Sequence, residues 1–334
     1  MKAAVVGSGA WGTALAIRLC RNGHDVTMWT RDAAKAARIR ESHINPRLPG
    51  TVLPDDLKIS ADYACVAGAK LVVIASPSFP IRGICRSIAP HLDDDAVMVS
   101  VTKGVERESL KRMSQVVAEE TGRPAVVLTG PSHAEEVAQN MPTGLLAASE
   151  DKALAEFVQD AFMSKSFRVY TSPDPVGAEL GGALKNVIAL CAGISDGLGM
   201  GDNTKTLLMT RGLTEMARLG ISLGAHRDTF AGLSGVGDLI VTCTSMHSRN
   251  RRAGILIGQG KGVQEAMEEV GAVVEGYYAA ESAWALCQQQ GVEMPILEAA
   301  HQVLYQGIPA RQAMHNLLTR KRKSEEDMGW MGWN

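Results

Sequence analysis

Lys185 stands near the start of a long apolar segment, on a face where the neighbouring residues are all small. Residues 181–203 read GGALKNVIALCAGISDGLGMGDN, and their apolar side chains recur at helical spacing. The small residues on the face of Lys185 are Gly181, Gly182, Ala189, Ala192 and Gly193. These surroundings predict room for a ligand beside the amine. A lysine so placed can donate a proton to a carbonyl oxygen while hydride arrives at the carbon.

The basicity of a free lysine would limit such proton transfer near neutral pH. Partial burial and a neighbouring cation, such as Lys103, would lower the pKa of Lys185. Asp238 would oppose that lowering but would hold the ammonium in place. The alternative is a lysine whose stem packs at a helix edge while its amine reaches water, and position alone does not separate the two interpretations.

A glycine-rich segment, VVGSGAWG, follows an apolar strand directly and opens a helix. Its Gly7, Gly9 and Gly12 have the spacing GxGxxG. Gly7 permits a tight turn, Gly9 lets the backbone approach a pyrophosphate, and Gly12 lets the helix pack close to the strand. The helix N-terminus adds partial positive charge. A glycine turn in another kind of α/β protein is the alternative, but the context indicates a dinucleotide site.

The end of the second predicted strand bears on which dinucleotide is bound. An acidic residue there would hold the ribose hydroxyls of NAD, but this chain has Arg31 followed by Asp32, a predicted helix cap. Arg31 can pair with a 2′-phosphate, which favours NADP and NADPH. Arginine also stacks on adenine, so NAD stays open, and a surface arginine without a role is the third interpretation.

Further candidates follow two other predicted strands. Lys103 in VTKGVE comes just after one strand, and Gly130, Ser132 and His133 in LTGPSHAEEV come just after another. Ligands of open α/β sheets bind at the carboxyl ends of strands. One loop lysine alone would need no function, but two such features on one edge predict a binding site. His133 is the weaker acid–base candidate, because no sequence neighbour fixes its tautomer.

The later part of the chain adds a second group of polar candidates. In GVGDLIVTCTSMHSRNRR, Asp238 follows two glycines, and Ser248 and Asn250 open a helix that they can cap. Arg249 at that helix start can bind phosphate oxygens through two hydrogen bonds. Glu275 precedes a glycine at another helix start, where capping and a functional role are equally good interpretations.

Strand patterns alternate with helical patterns in the first half of the chain. The predicted strands are Ala3–Val6, Asp25–Trp29, Leu71–Ala75, Ala96–Val101, Ala125–Thr129 and Gly144–Ala148. Helical segments such as Ala14–Arg21 and Leu110–Glu120 lie between them. This order is typical of βαβ units and of a mostly parallel sheet.

The rhythm changes at TSPDP, residues 171–175, where two prolines mark a boundary. Helical periodicity follows in the segments 178–198, 204–220, 249–258, 263–270, 277–290, 295–305 and 309–319. The prediction is an α/β Rossmann-type doubly wound sheet followed by an all-α C-terminal domain. Its parts are a dinucleotide-binding domain at 1–174, a helical substrate and catalytic domain at 175–320, and a charged, flexible tail at 321–334.

Composition excludes several function classes. The 334 residues are 46% hydrophobic, enough for two domains with cores, and the formal net charge of −2 gives no general attraction to nucleic acid. Arg251 and Arg252 are interpreted as charges on a helix face, since no basic stripe or interleaved aromatic residues accompany them. No membrane span is predicted, and KAAVV at residues 2–6 reads as a strand rather than as part of a signal peptide.

The cysteines and histidines bear on location and on metals. Six scattered cysteines without a CxxC pair predict reduced, packed thiols and a cytoplasmic location. The eight histidines lack HxxxH and HExxH spacing, so no metal site is predicted.

Six segments together carry a resemblance to a known family. GSGAWGTALA, VTKGVE, TGPSHAEEVA, GGALKNVIALCAGISDGLGMGDNTK, GVGDLIVTCTSMHSRNRRAG and VVEGYYAA, in this order, are similar to the bacterial NAD(P)-dependent glycerol-3-phosphate dehydrogenases. The resemblance covers residues 4 to about 318. It implies reversible reduction of dihydroxyacetone phosphate to sn-glycerol 3-phosphate for phospholipid synthesis. A small phosphorylated substrate is then the expected partner, and a homodimer is compatible with the sequence.

The family pattern also implies roles for individual residues. Lys185 would be the proton donor, with Lys103 and Asp238 beside it. The residues lining the substrate would be Lys103, Gly130, Ser132, Lys185, Asp238, Ser248, Arg249 and Asn250. Those touching the cofactor, besides Gly7, Gly9 and Gly12, would be Ala10, Trp11, Arg31, Lys103, Ala134, Arg249, Val273 and Glu275. HINPRLPG at 43–50 lacks the tyrosine that many relatives carry before Leu-Pro, so no contact is assigned there.

Two other dehydrogenase families and a non-catalytic protein are the alternative interpretations of the sequence. A 3-hydroxyacid dehydrogenase of the hydroxyisobutyrate type usually has asparagine four residues after its lysine, where this chain has Ala189. A sugar-nucleotide dehydrogenase would need a cysteine nucleophile, and no cysteine here lies in such a motif. A non-catalytic module that senses NADP would keep the glycine loop but would not need Lys103, Lys185 and Asp238 together.

Overall fold

A computed structural model describes residues 1–322 of the chain. The tail predicted at 321–334 lies outside the described residues from 323 onward.

One eight-stranded sheet organises the first half of the chain, in the order β3-β2-β1-β4-β5-β6-β7-β8. The strands are β1 Lys2–Val6, β2 Asp25–Trp29, β3 Lys58–Ser60, β4 Leu71–Ile74, β5 Val97–Ser100, β6 Ala125–Thr129, β7 Thr143–Ala148 and β8 Phe167–Ser172. All neighbours are parallel except β6 and β7. The carboxyl ends of β1, β4, β5 and β6 therefore meet at one edge, and the order of strands reverses between β1 and β4.

Six helices connect these strands. They are α1 Ala10–Arg21, α2 Ala33–Ser42, α3 Ile81–Ile88, α4 Met113–Thr121, α5 Ala134–Ala138 and α6 Lys152–Phe162. The central strands are apolar along their whole length because helices cover both faces of the sheet, and β4 is buried at all four positions. The predicted Rossmann-type sheet is confirmed. The two edge strands β3 and β8 were missed, since three residues in β3 are too few to show a period.

Nine helices follow in the second half of the described chain. They are α7 Pro175–Gly197, α8 Gly201–Ser222, α9 Arg227–Ala231, α10 Asp238–Thr244, α11 Arg249–Gly258, α12 Val263–Val270, α13 Glu275–Gln290, α14 Pro295–Tyr305 and α15 Ala310–Leu318. The predicted helical half is thus confirmed. The short helices α9 and α10 were missed. A wide turn, Leu233–Gly237, rich in glycine, leads into α10 and hides its periodicity.

Helix α7 runs through the middle of the helical half. All residues from 177 to 195 are buried, so both the apolar stripe and the small-residue face pack against protein. Of the described helices, α7 alone is long and apolar enough to cross a membrane, but the whole of that apolar window is buried inside the fold. Its composition is that of a core helix.

The small residues around Lys185 do not leave an empty space, which corrects the sequence-based interpretation. A Cβ atom at Gly193 would lie 2.1 Å from the carbonyl oxygen of Arg251, and one at Gly181 would lie 2.5 Å from that of Ser234. A Cβ at Gly182 would lie 3.0 Å from Thr129 Oγ1. The glycines therefore admit α11, the turn before α10, and the sheet edge. They bring other side chains to Lys185 rather than holding a ligand themselves.

Candidate active site

The Lys185 side chain meets helix α10 inside the protein. Its Nζ lies 2.5 Å from Asp238 Oδ1 and donates a hydrogen bond of 2.7 Å to Thr242 Oγ1. Asp238 and Thr242 are one helical turn apart, so they face the same side of α10. Thr242 in turn donates to the Asp238 carbonyl oxygen at 2.6 Å. Sequence reasoning missed Thr242, although its spacing of four residues from Asp238 was a usable signal.

Lys103 reaches the same carboxylate from the sheet half. It lies in the loop after β5, and its Nζ is 2.7 Å from Asp238 Oδ2 and 3.5 Å from the Gly130 carbonyl oxygen. One carboxylate therefore bridges two lysines from the two halves of the protein. The exposed fraction of the side chain is 1% for Asp238, 6% for Lys185 and 21% for Lys103. Lys103 faces the solvent most, so a ligand can approach from its side.

The electrostatics of this group follow from its burial and its charges. Burial lowers the pKa of Lys185 below its ordinary value; Asp238 opposes this, and Lys103 reinforces it. Burial alone would raise the pKa of Asp238, but Lys103 and Lys185 outweigh it, so the pKa lies below the ordinary range. Asp238 is thus ionised at neutral pH. Two ammonium groups against one carboxylate leave one positive charge, which suits an oxygen that becomes anionic.

The segment after β6 lies beside Lys103. Gly130 has φ +139°, a conformation that favours glycine, and its carbonyl oxygen accepts a 2.9 Å hydrogen bond from Ser132 Oγ. His133 precedes α5, and Ala134 is its first residue. The structure therefore brings Gly130 and Ser132 to the Lys103 loop, as expected from strand ends on one edge.

The start of α11 is held against α7 and α13. Ser248 caps the helix by accepting a hydrogen bond from Arg251 N at 3.2 Å, as predicted. Asn250 does not cap. Its Nδ2 donates to Asn186 Oδ1 at 2.8 Å, and its Oδ1 accepts from Gly276 N at 2.8 Å. Asn250 thus ties α11 to α7 and α13, and Asn186 is a site neighbour that sequence reasoning did not single out.

The three arginines at the start of α11 differ in their exposure and in their partners. Arg251 was interpreted as a solvated helix-face charge, which is wrong: its Nη2 lies 2.8 Å from Asp196 Oδ2, and its Nη1 donates to the Thr244 carbonyl oxygen. Arg252 is exposed, as predicted. Arg249 is also exposed, and within residues 1–322 it has no carboxylate within ion-pair distance. Arg249 is therefore available to an anion.

Glu275 opens α13 near Arg249. Burial raises the pKa of Glu275 to about 7, and the charge of Arg249 works against that rise. Glu275 does not cap the helix, which was one of its two interpretations, since Val274 holds the cap position without a side-chain hydrogen bond. Val273 is partly exposed beside it.

The glycine loop has the geometry of a pyrophosphate cradle. A Cβ at Gly7, where φ is +134°, would lie 2.3 Å from the Ala75 carbonyl oxygen, and one at Gly12 would lie 2.1 Å from that of Gly7. Gly9 is open, with no atom within 4 Å of its Cβ position. It begins α1 without any side-chain cap, so the amides of Ala10 and Trp11 keep their partial positive charge.

Basic residues cluster beside this loop at the end of β2. Asp32 caps α2 by accepting from Lys35 N at 3.0 Å, as predicted. Lys35 Nζ donates to both oxygens of Ser8, at 2.8 and 3.0 Å. Burial lowers the pKa of Lys35, and the charges of Arg47 and Arg38 lower it further. In the described part of the chain, none of these basic side chains nor Arg31 has a carboxylate within ion-pair distance.

The 43–50 segment, to which no contact was assigned, braces the glycine loop. Asn45 is buried, and its Nδ2 donates to the Ser8 carbonyl oxygen at 3.1 Å and to Thr13 Oγ1 at 2.6 Å. Arg47 follows on the same segment, so the loop carries a cation to the edge of the cradle.

A Rossmann-type sheet with an open glycine loop, joined to a helical half that delivers a buried lysine to the sheet edge, defines a dinucleotide-dependent dehydrogenase. The chain belongs to the NAD-dependent glycerol-3-phosphate dehydrogenase family. The N-terminal family model matches residues 2–155, and the C-terminal model matches residues 174–315. The predicted family is therefore confirmed.

Individual relatives agree along nearly the whole chain. Glycerol-3-phosphate dehydrogenase [NAD(P)+] of Pelotomaculum thermopropionicum is 53% identical over 330 residues, which cover 97% of this chain and 95% of the relative. The protein of that name from a Thermoanaerobacter species is 49% identical and covers 97% and 99%. The crystal structure of glycerol-3-phosphate dehydrogenase from Coxiella burnetii superposes with a TM-score of 0.92 at 38% identity, over 96% of this chain and 99% of that one.

Proposed function

We propose that this chain catalyses the reversible, NAD(P)H-dependent reduction of dihydroxyacetone phosphate to sn-glycerol 3-phosphate. The observation that carries the proposal is the Asp238 carboxylate, which holds Lys185 and Lys103 together at the sheet edge that also bears the glycine loop. This arrangement fits the reduction of a carbonyl whose oxygen becomes anionic. The product would supply the glycerol phosphate unit of phospholipids.

Lys185 has the role of proton donor in this proposal. The reduced nicotinamide supplies the hydride when the cofactor is bound. Lys185 Nζ donates a proton to the carbonyl oxygen of the substrate, and Lys103 stabilises the negative charge on that oxygen. Asp238 and Thr242 hold the Lys185 amine in one orientation through the two contacts described above. In the oxidation direction, the neutral amine of Lys185 accepts the proton back, which its lowered pKa assists.

The phosphate of the substrate is assigned to the start of α11. Arg249 is exposed there without a carboxylate partner among the described residues, and the helix N-terminus adds partial positive charge. Ser248 and Asn250 shape this corner, while Gly130 and Ser132 line the sheet side. Because the charge of Arg249 acts on Glu275, a proposed cofactor contact, Arg249 would serve both substrate and cofactor.

The glycine loop fits a pyrophosphate because Gly9 is open and α1 lacks a side-chain cap. Ala10, Trp11 and Ala134 on the sheet half, and Val273 and Glu275 on the helical half, complete the proposed cofactor contacts. NADPH is the favoured form. Arg31 follows β2, Lys35 contacts Ser8 of the glycine loop, and Arg47 is close enough for its charge to lower the pKa of Lys35, so these three cations would favour a 2′-phosphate.

Replacing Arg31 with alanine should weaken NADPH binding by roughly tenfold to a hundredfold, the effect of losing a charged hydrogen bond. NADH binding should change by less than about threefold, because NADH lacks the 2′-phosphate that Arg31 would bind. Fluorescence titration of the purified protein with each cofactor measures both dissociation constants. Arg40→Ala, which removes an exposed arginine from the following helix α2, is the control. Equal losses for both cofactors would mean that Arg31 stacks on the adenine.

A direct assay tests the function itself. We expect oxidation of NADPH when dihydroxyacetone phosphate is added to the purified protein. The loss of absorbance of the reduced nicotinamide measures this reaction. Parallel reactions contain NADH, other phosphorylated ketones, or a 3-hydroxyacid with the oxidised cofactor. Turnover with the hydroxyacid alone would indicate a dehydrogenase of the hydroxyisobutyrate type. Cofactor binding without any turnover would indicate a sensing module.

The remaining predictions concern organisation and location. We propose residues 1–174 as the dinucleotide-binding domain and 175–320 as the substrate domain, because the last strand ends at Ser172 and α7 begins at Pro175. A cytoplasmic location is supported by the six cysteines, all of which are free. The homodimer stays a prediction.

A further inference from the structure

His133 has a buried ring nitrogen that the protein leaves unsatisfied. It follows Ser132 at the sheet edge, and within residues 1–322 its Nε2 has no hydrogen-bond partner. An unpaired buried polar atom costs free energy, so a partner from a ligand would recover that cost. Burial also lowers the pKa of His133, and the charge of Lys185 lowers it further against the opposing charge of Glu136. The ring is therefore uncharged at neutral pH.

The surroundings of His133 show what could reach that nitrogen. Its ring centroid lies 5.6 Å from that of His247, with the ring planes at 50°. His247 is exposed and directly precedes Ser248, the cap of α11. The two rings thus come from opposite halves of the protein and meet beside the start of α11.

Three observations identify the chemistry of the missing partner. Arg249 beside this pair is exposed and has no carboxylate partner among the described residues. The α11 N-terminus favours an anion. His133 follows Ser132, and Ser132 Oγ and Lys103 Nζ contact the same Gly130 carbonyl oxygen, which connects this segment to the two lysines that share Asp238. An oxygen acceptor with negative charge, reaching from the α11 start towards Lys185, meets all three conditions.

We propose that His133 binds the substrate through Nε2–H, which donates a hydrogen bond to a phosphate oxygen of the phosphorylated ketone. His247 borders the same phosphate from the helical half. This inference rests on the proposed function, because it takes the substrate of that reaction as the ligand. It assigns His133 to substrate binding and gives it no part in proton transfer to the carbonyl, which remains with Lys185.

Two substitutions separate the hydrogen bond from the packing of the ring. His133→Phe keeps an aromatic ring but has no donor, and His133→Gln places an amide N–H near the position of Nε2. His133→Phe should raise the KM for dihydroxyacetone phosphate by about tenfold to a hundredfold. It should raise the dissociation constant of glycerol 3-phosphate, measured by calorimetry, by a similar factor. His133→Gln should recover much of the affinity that His133→Phe loses. The affinity for NADPH and the melting temperature should stay near wild-type values.

Dihydroxyacetone, which lacks the phosphate, locates the contact on the substrate. If His133 binds the phosphate, kcat/KM for dihydroxyacetone should be the same in wild type and His133→Phe. Equal losses for both ketones would place His133 at the carbonyl end and overturn the assignment. Unchanged glycerol 3-phosphate affinity in both variants would leave only an ordered water as the partner of Nε2, which also overturns it.

His301 provides a matched control. Its Nδ1 is likewise buried without a partner among the described residues, but it lies on α14 and stacks between Trp284 and Tyr305. His301→Gln should leave both substrate constants unchanged. If the wild-type protein does not reduce dihydroxyacetone phosphate at all, the proposed function itself is wrong, whatever the His133 variants do. An active wild type with unaffected His133 variants would refute only the present inference.

Discussion

Replacing Lys185 with alanine is expected to lower kcat for dihydroxyacetone phosphate reduction by about a thousandfold or more. The variant would lose both the proton donor and the charge that stabilises the alkoxide, each of which contributes on the order of a hundredfold or more. Asp238 keeps its contact with Lys103, so the buried carboxylate stays paired and the fold should persist. Steady-state kinetics give kcat, and titration with NADPH should give a dissociation constant near that of wild type.

A control lysine distinguishes this role from a general effect of charge. Lys205 lies on α8, where it pairs with Asp196 and Asp202 away from the sheet edge. Lys205→Met removes a partly buried ammonium but should leave kcat within about twofold, because its partners Asp196 and Asp202 do not contact Lys185 or Lys103. Near-normal turnover of Lys185→Ala would show that the buried amine only packs between α7 and α10.

Replacing Asp238 with asparagine is the second change expected to have a large effect. The substitution keeps the shape of the side chain but leaves two ammonium groups without a shared counter-charge. We expect kcat to fall by at least about a hundredfold, because a misplaced donor loses its alignment with the carbonyl. Breaking a buried pair also destabilises a fold by about 3–5 kcal/mol, so the melting temperature should fall. Kinetics and thermal unfolding measure the two effects separately.

The pH dependence of Asp238→Asn has a definite sign. Reduction needs the ammonium form of Lys185, so the rate falls as the pH rises through the pKa of this lysine. Asp238 raises that pKa against the effect of burial, and its removal should therefore lower it. The decline of the reduction rate should move to lower pH in the variant. A decline at unchanged pH would mean that another group controls the reaction, provided that Asp238→Asn still melts cooperatively.

The control for Asp238→Asn is Asp196→Asn. Asp196 is a partly buried carboxylate on α7 that also bridges two cations, Arg251 and Lys205. Its loss should lower the melting temperature without moving the pH profile. A similar loss of kcat in both variants would attribute the effect of Asp238→Asn to the packing of α7 rather than to the charge at the site.

Much of the architecture was readable from local patterns. The central strands are continuous apolar runs, and in the long helices apolar residues recur every three to four positions. Each of these patterns can be recognised within about a dozen residues. β3, α9 and α10 escaped because they are too short to show a period. The glycine loop was readable for a similar reason, since all its parts lie within six consecutive residues, 7–12.

The site was only partly readable. Lys103, Lys185 and Asp238 stood out as charged residues in otherwise apolar or glycine-rich segments, and Arg249 stood out at the start of a predicted helix. Their contacts did not, since Lys185 and Asp238 are 53 residues apart and Lys103 and Asp238 are 135 apart. Sequence reasoning therefore misjudged Arg251, whose partner Asp196 lies on another helix.

The sequence by itself determined that a sheet half precedes a helical half. It also determined the dinucleotide loop and which charged residues are candidates, because these features depend on neighbours along the chain. Tertiary structure alone decided what surrounds Lys185. The glycines that suggested room for a ligand instead let the backbones of α11 and of the turn before α10 approach α7 closely. That approach places Asp238 and Thr242 on the amine, and burial with an ion pair sets its proton affinity. Which backbone fills the space beside a glycine is settled only when the helices dock.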